Sequence, residues 1–147
     1  MLKYLKYFLP AFTGILTILA FIKGEHYPTL FLISFSSFLI IGDAIFRRDT
    51  KIQTFTYPNL LNLSIYINLP ILFFLILLVV SFFSTNTPSW YNDTLNLYFH
   101  IDLVKIKSSF NLLDKISLII QSTLSIGMLG TVPGHELTHR KKNKFDM

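Results

Sequence analysis

Residues 60–83 read LLNLSIYINLPILFFLILLVVSFF, a run with no acidic or basic side chain. A stretch of that length and character cannot lie on the surface of a water-soluble domain. It matches the ~20 predominantly apolar residues that cross a bilayer core. Three further runs fit the same template. Residues 7–22 do so with help from the aromatic flank at Tyr4. Residues 27–46 carry Asp43 as their sole charge. Residues 110–134 hold Asp114 and Lys115 in their first turns and are uncharged afterwards. Pro10 and Pro70 are expected inside the first and third runs, as membrane helices allow when neighbours satisfy the freed carbonyl.

Composition supports this reading. Hydrophobic residues make up 52% of the 147 and charged residues 14%, against about 25% charged in a soluble domain. There is no cysteine. That excludes a disulfide framework, a cysteine-ligated zinc or iron–sulfur site and a thiol nucleophile. The net charge of +5 would suit nucleic acid, but the cations fall between apolar runs. Topology therefore explains them, and no nucleic-acid partner is expected. Lys3 and Lys6 before an apolar stretch resemble a signal peptide. No small-residue cleavage site follows, and Lys23-Gly24-Glu25-His26 leads straight into another span.

Charge sets the expected orientation. Lys3 and Lys6, then Arg47, Arg48 and Lys51, then Arg140, Lys141, Lys142 and Lys144 fall on one side of a four-span arrangement. Lys23, Lys105, Lys107 and Lys115 fall on the other. The positive-inside rule then puts both termini in the cytoplasm. The expected fold is all-α and integral to a cell (inner) membrane. Its four transmembrane helices form two hairpins, first with second and third with fourth, in a single domain over residues 1–147. The connection over residues 84–109 faces outward, with Trp90 and Tyr91 at headgroup level. Leu95, Leu97, Phe99, Ile101 and Leu103 alternate with polar residues, which predicts a short extended or interfacial segment.

The fourth span leads into Gly134-His-Glu-Leu-Thr-His139, followed by Arg140, Lys141 and Lys142. On a helix, His135 and His139 share one face and are close enough to share a metal. The letters also match the zinc-protease box H-E-x-x-H, with Glu136 as general base. The five residues alone do not separate the two chemistries. Their surroundings favour one. A basic run directly after His139 marks a helix leaving the membrane into anionic headgroups.

LDKISLIIQSTLSIGMLGTVPGHELTHRKK, residues 113–142, resembles the fourth span and first histidine box of the membrane alkane 1-monooxygenases, within the fatty-acid desaturase and hydroxylase superfamily. Asp43-Ala-Ile-Phe-Arg-Arg-Asp49 is similar to that family's paired aspartates at the cytoplasmic end of the second span. Tyr57-Pro-Asn-Leu and the Pro70-containing third span follow its order. The specific motifs cover about a third of the chain; the topology covers nearly all of it. The resemblance implies a non-haem di-iron centre held by histidines, to which imidazole is suited. It implies hydroxylation or desaturation of an alkane or fatty-acyl chain with dioxygen, and rubredoxin or a ferredoxin-type protein as electron donor. His135 and His139 carry over as metal ligands. Glu136 and Asp43 carry over as groups that orient a neighbouring ligand. No other catalytic residue is assigned.

The sequence departs from the family in two ways. Its connection before Leu113 is longer. It also lacks the further histidine boxes: the other histidines, His26 and His100, fall on the outer side. The expectation is the amino-terminal part of a longer six-span enzyme, inactive as these 147 residues alone. A membrane zinc metalloprotease fragment and a non-enzymatic membrane scaffold are the alternatives. Plainer roles also exist for several residues. Asp43 can pair with Arg47 one turn on. Asp49 suits a solvated loop. Asp114 suits the first turn of a helix dipole. Arg140 to Lys144 suit a topology anchor or the docking of an acidic electron carrier. Gly127 and Gly130 are expected to permit close helix packing, or to line a substrate channel.

Overall fold

The structure, a computed structural model, describes residues 2–45 and 57–138. These residues are all-helical, and four helices are long and apolar enough to cross a membrane: Lys6–Lys23, Tyr27–Ile45, Asn59–Phe83 and Leu112–His135. A short helix α1 (Leu2–Leu5) and a 3₁₀ turn (Lys6–Phe8) precede α2 (Leu9–Lys23). Then come α3 (Tyr27–Ile45), α4 (Pro58–Phe83), α5 (Ser89–Phe99), α6 (Leu103–Ser109) and α7 (Leu112–Ser125). A π-helical segment (Ile126–Thr131) joins α7 to α8 (Val132–Thr138).

Each start has a local cause. Pro10 lies inside the first span, as expected, and sits in the first turn of α2, just after the 3₁₀ turn. Proline suits that position, where its missing N–H would have had no helical partner. The chain leaves α2 at Gly24 with φ +71°, a left-handed backbone that glycine adopts without strain. A Cβ there would also stand 2.7 Å from Ser109 Oγ. That hydroxyl accepts a hydrogen bond from the Glu25 N–H at 2.9 Å. Pro70 does lie inside its helix, α4.

The spans alternate in direction. The first turn of α2 and the start of α4 share one end of the bundle, where the Tyr57 N–H donates to Tyr4 Oη at 2.9 Å. The Gly24 turn and the start of α7 share the other. In cross-section α2 packs on α3 and α4, while α7 with its π segment packs on the same two helices.

The partition of side chains is inverted relative to a soluble bundle. Phe12, Leu19, Ile33, Phe38, Ile40, Leu69 and Phe73 face outward. On α7 the buried face reads Asp114, Ser117, Leu118, Gln121, Ser122 and Ser125, while Ile116, Ile119, Ile120 and Leu124 are exposed. Small and polar residues inside, with aliphatic residues outside, are what helix association in lipid favours. The buried hydroxyls are satisfied locally: Ser122 Oγ donates to the Leu118 carbonyl, Thr17 Oγ1 to Thr13 and Ser81 Oγ to Leu77. Gly14 permits a close approach of two neighbours, since a Cβ there would meet Leu129 Cδ1 at 2.8 Å and Ile71 Cγ2 at 2.9 Å.

The apolar core is displaced toward the Gly24 end. Phe21, Leu75, Leu78, Phe82 and Leu118 pack there with Leu95, Ile101, Leu103 and Phe110 from the connecting region. That region corrects one expectation. Residues 95–103 are not extended; they close α5, turn and open α6. His100 adopts φ 56° and its N–H donates to the Asn96 carbonyl. Asp102 then caps α6 by accepting from the Val104 and Lys105 N–H groups, both at 3.1 Å. The period of two arises because Leu95 is buried on one helix, Ile101 in the turn and Leu103 at the start of the next helix, while Leu97 and Phe99 are exposed.

Candidate functional site

His135 lies on α8, exposed, at the rim of a cleft of about 710 Å³. The cleft opens at the α1 end of the bundle. Its wall comes from the start of α2 (Lys6, Tyr7, Pro10), one face of α4 (Leu61, Ser64, Ile65, Asn68) and the π segment with α8 (Met128, Thr131, Val132, Pro133). Residues 61, 64, 65 and 68 follow the i, i+3, i+4, i+7 spacing of one helical stripe. At 1.5 Å per residue that stripe carries the cleft about 10 Å into the bundle.

The π segment sits between the regular part of α7 and the histidine box. Pro133 explains part of it, since it offers no N–H to the Leu129 carbonyl one turn back. Such wide turns concentrate at functional sites. The two glycines of the segment differ. A Cβ on Gly130 would come within 2.7 Å of Leu72 Cδ2, so this glycine does accommodate a neighbour. Gly127 has nothing within 4 Å of such an atom, and the expectation of close packing does not hold there.

His139, Asp49 and the basic residues from Arg47 to Lys51 and from Arg140 to Lys144 lie outside the described residues, as does the Glu136 side chain. Asp43 is exposed on the last turns of α3, at the His135 end of the bundle. His26 and His100 are at the other end, separated from His135 by the length of α2, about 22 Å at 1.5 Å per residue. Among the described residues no group of three or more His, Cys, Asp or Glu side chains gathers where a metal could sit.

The end around the Gly24 turn holds a polar cluster that the sequence reading did not single out. Asp114 is in the first turn of α7, as expected, but it is wholly buried. Asn111 and Asp114 form a capping box: Asn111 Oδ1 accepts from the Asp114 N–H at 2.9 Å, and Asp114 Oδ2 accepts from the Asn111 N–H at 3.2 Å. Thr29 Oγ1 donates to Asp114 Oδ1 at 2.5 Å. His26 Nδ1 lies 3.3 Å from the Asn111 amide and 3.9 Å from Asp114 Oδ2. About two turns deeper on α7, Gln121 Nε2 donates to the Pro28 carbonyl at 2.5 Å. This cluster locks the start of α3 to α7. The Asn-x-x-Asp spacing before an apolar run is a capping signature visible in the sequence.

Compared with known protein families, with curated proteins and with solved structures, the chain finds no match in any of the three.

Proposed function

We propose that this chain is part of a membrane non-haem di-iron oxygenase that hydroxylates or desaturates alkane or fatty-acyl chains, with His135 and His139 among the metal ligands. The observation that carries the reading is His135 at the rim of a largely apolar cleft reaching into a four-span bundle. A hydrocarbon drawn from the bilayer needs such a cleft, and an imidazole at its mouth has the donor chemistry that iron accepts. Bound iron would supply dioxygen activation. The residues of the chain would do the rest: Pro10, Ile65, Met128 and Val132 would hold the hydrocarbon and exclude water, and Glu136 and Asp43 would orient ligands.

In this reading the spans form two hairpins with both termini cytoplasmic, and the cleft opens to the cytoplasmic side of the inner membrane. An electron donor of the rubredoxin or ferredoxin type would dock there, against the basic residues that flank the box. Two histidines cannot fix two metal ions, so the reading requires further histidines beyond His135 and His139.

The reaction itself is the test. Membranes containing the full gene product, supplied with reductant and ¹⁸O₂, are given a medium-chain alkane and a fatty acyl ester. The expected result is ¹⁸O in a long-chain product, or a new double bond, lost in H135A and in H139A. Cleavage of a peptide substrate, lost in E136Q, would replace this reading with the zinc metalloprotease. No turnover of either class would favour a scaffold.

A further inference from the structure

Asn68 stands at the inner end of the cleft, on the third span. It is 3% exposed, and its Oδ1 has no hydrogen-bond partner among the described residues. An amide in that state is costly, because a buried acceptor without a donor forfeits the whole of its lost hydration. In a membrane-spanning segment water does not restore it cheaply. Such a group is retained where something else supplies the donor. Ser64, one turn away on the same stripe, is also buried, but its hydroxyl donates to the Leu61 carbonyl at 2.7 Å and so is already committed.

The chemistry of the missing donor is narrow. A hydrocarbon has none. An ionised carboxylate accepts only and would meet Oδ1 with repulsion. An ammonium group could donate, at the cost of burying a charge. A neutral hydroxyl both donates to the amide oxygen and accepts from the amide nitrogen. It is also the smallest group that does both. Ile65, Met128 and Val132 offer apolar surface to whatever carries that hydroxyl. The cleft volume of about 710 Å³ is within the usual ~300–1,000 Å³ of small-molecule sites. We infer that the cleft binds a single-chain lipid alcohol, with its hydroxyl on the Asn68 amide and its chain along the apolar wall. This rests on the cleft and the orphaned amide and not on any metal, so it stands or falls separately from the oxygenase reading.

The test uses the full protein in nanodiscs and a dodecanol carrying a photoactivatable diazirine. Labelling is mapped by mass spectrometry to the peptides containing Ile65 and Met128. The expected result is labelling competed by 1-dodecanol about ten- to a hundredfold better than by dodecane or dodecanoate, with that preference lost in N68L. N68L replaces an unpartnered amide by an apolar side chain of similar size. It should therefore keep the fold and raise the melting temperature by about 2–4 °C. Equal competition by dodecane, or undiminished preference in N68L, would overturn the inference. So would competition by dioctanoylglycerol but not by dodecanol. A fall in the stability of N68L would also overturn it, since Asn68 would then have a partner within the protein.

Discussion

Asp114 shows how one residue can have a local and a tertiary role at once. Its position in the first turn of α7 is what a helix dipole favours, and the sequence made that legible. Its burial was not legible, because it depends on Thr29, eighty-five residues away, meeting it across the bundle. Replacing Asp114 by Ala removes the side-chain half of the capping box and leaves the Thr29 hydroxyl and the Asn111 N–H without their acceptor, while the Asp114 backbone N–H still donates to Asn111 Oδ1. The expected loss is about 2–4 kcal/mol, measured by thermal unfolding in detergent. D114N keeps the shape and one acceptor oxygen, so it should lose about half as much. Asn68 is the converse case: it is one of two amides, with Asn62, in the apolar run of residues 60–83, and which of them lacks a partner for its oxygen needed the structure. At Gly24, where φ is +71° and Ser109 Oγ crowds the missing Cβ, alanine should cost about 1–2 kcal/mol by the same assay.

Among the elements, the four spans could be read from length and polarity alone, because a bilayer demands both and few other environments do. The connection between the third and fourth spans could not. Its alternation of apolar and polar residues imitated a strand while a helix end, a turn and a helix start produced it. Periodicity over so few residues does not separate these cases, and the left-handed His100 that marks the turn is not a glycine. The π segment was similarly hidden, although Pro133 and two glycines stand within it or beside it. The glycines themselves yield a paired prediction. G14A would drive a methyl group between Leu129 and Ile71 and should destabilise by about 1–3 kcal/mol. G127A meets nothing within 4 Å and should be neutral or stabilising by up to about 1 kcal/mol. Equal effects at the two positions would show that the α2–π contact is not tight.

For the molecule as a whole, the two ends have different characters. One end is closed by an apolar core and a polar lock at the start of α7; the other opens as a cleft with His135 on its rim. A catalytic site suits the open end, while the closed end supplies rigidity. The absence of cysteine makes the orientation easy to read with single substitutions. In intact cells N96C, on exposed α5, should react with a membrane-impermeant maleimide, whereas N59C, at the start of α4, should react only after lysis. The reverse pattern would put the cleft outside the cell, where a cytoplasmic electron donor cannot reach it. What holds or does not hold a metal at that cleft decides the function. Metal content of the full gene product, purified from its own host's membranes, should be about two iron atoms per polypeptide, falling close to none when His135 and His139 are both replaced by Ala. One zinc atom per polypeptide, or no metal in the unaltered protein, would contradict the oxygenase reading.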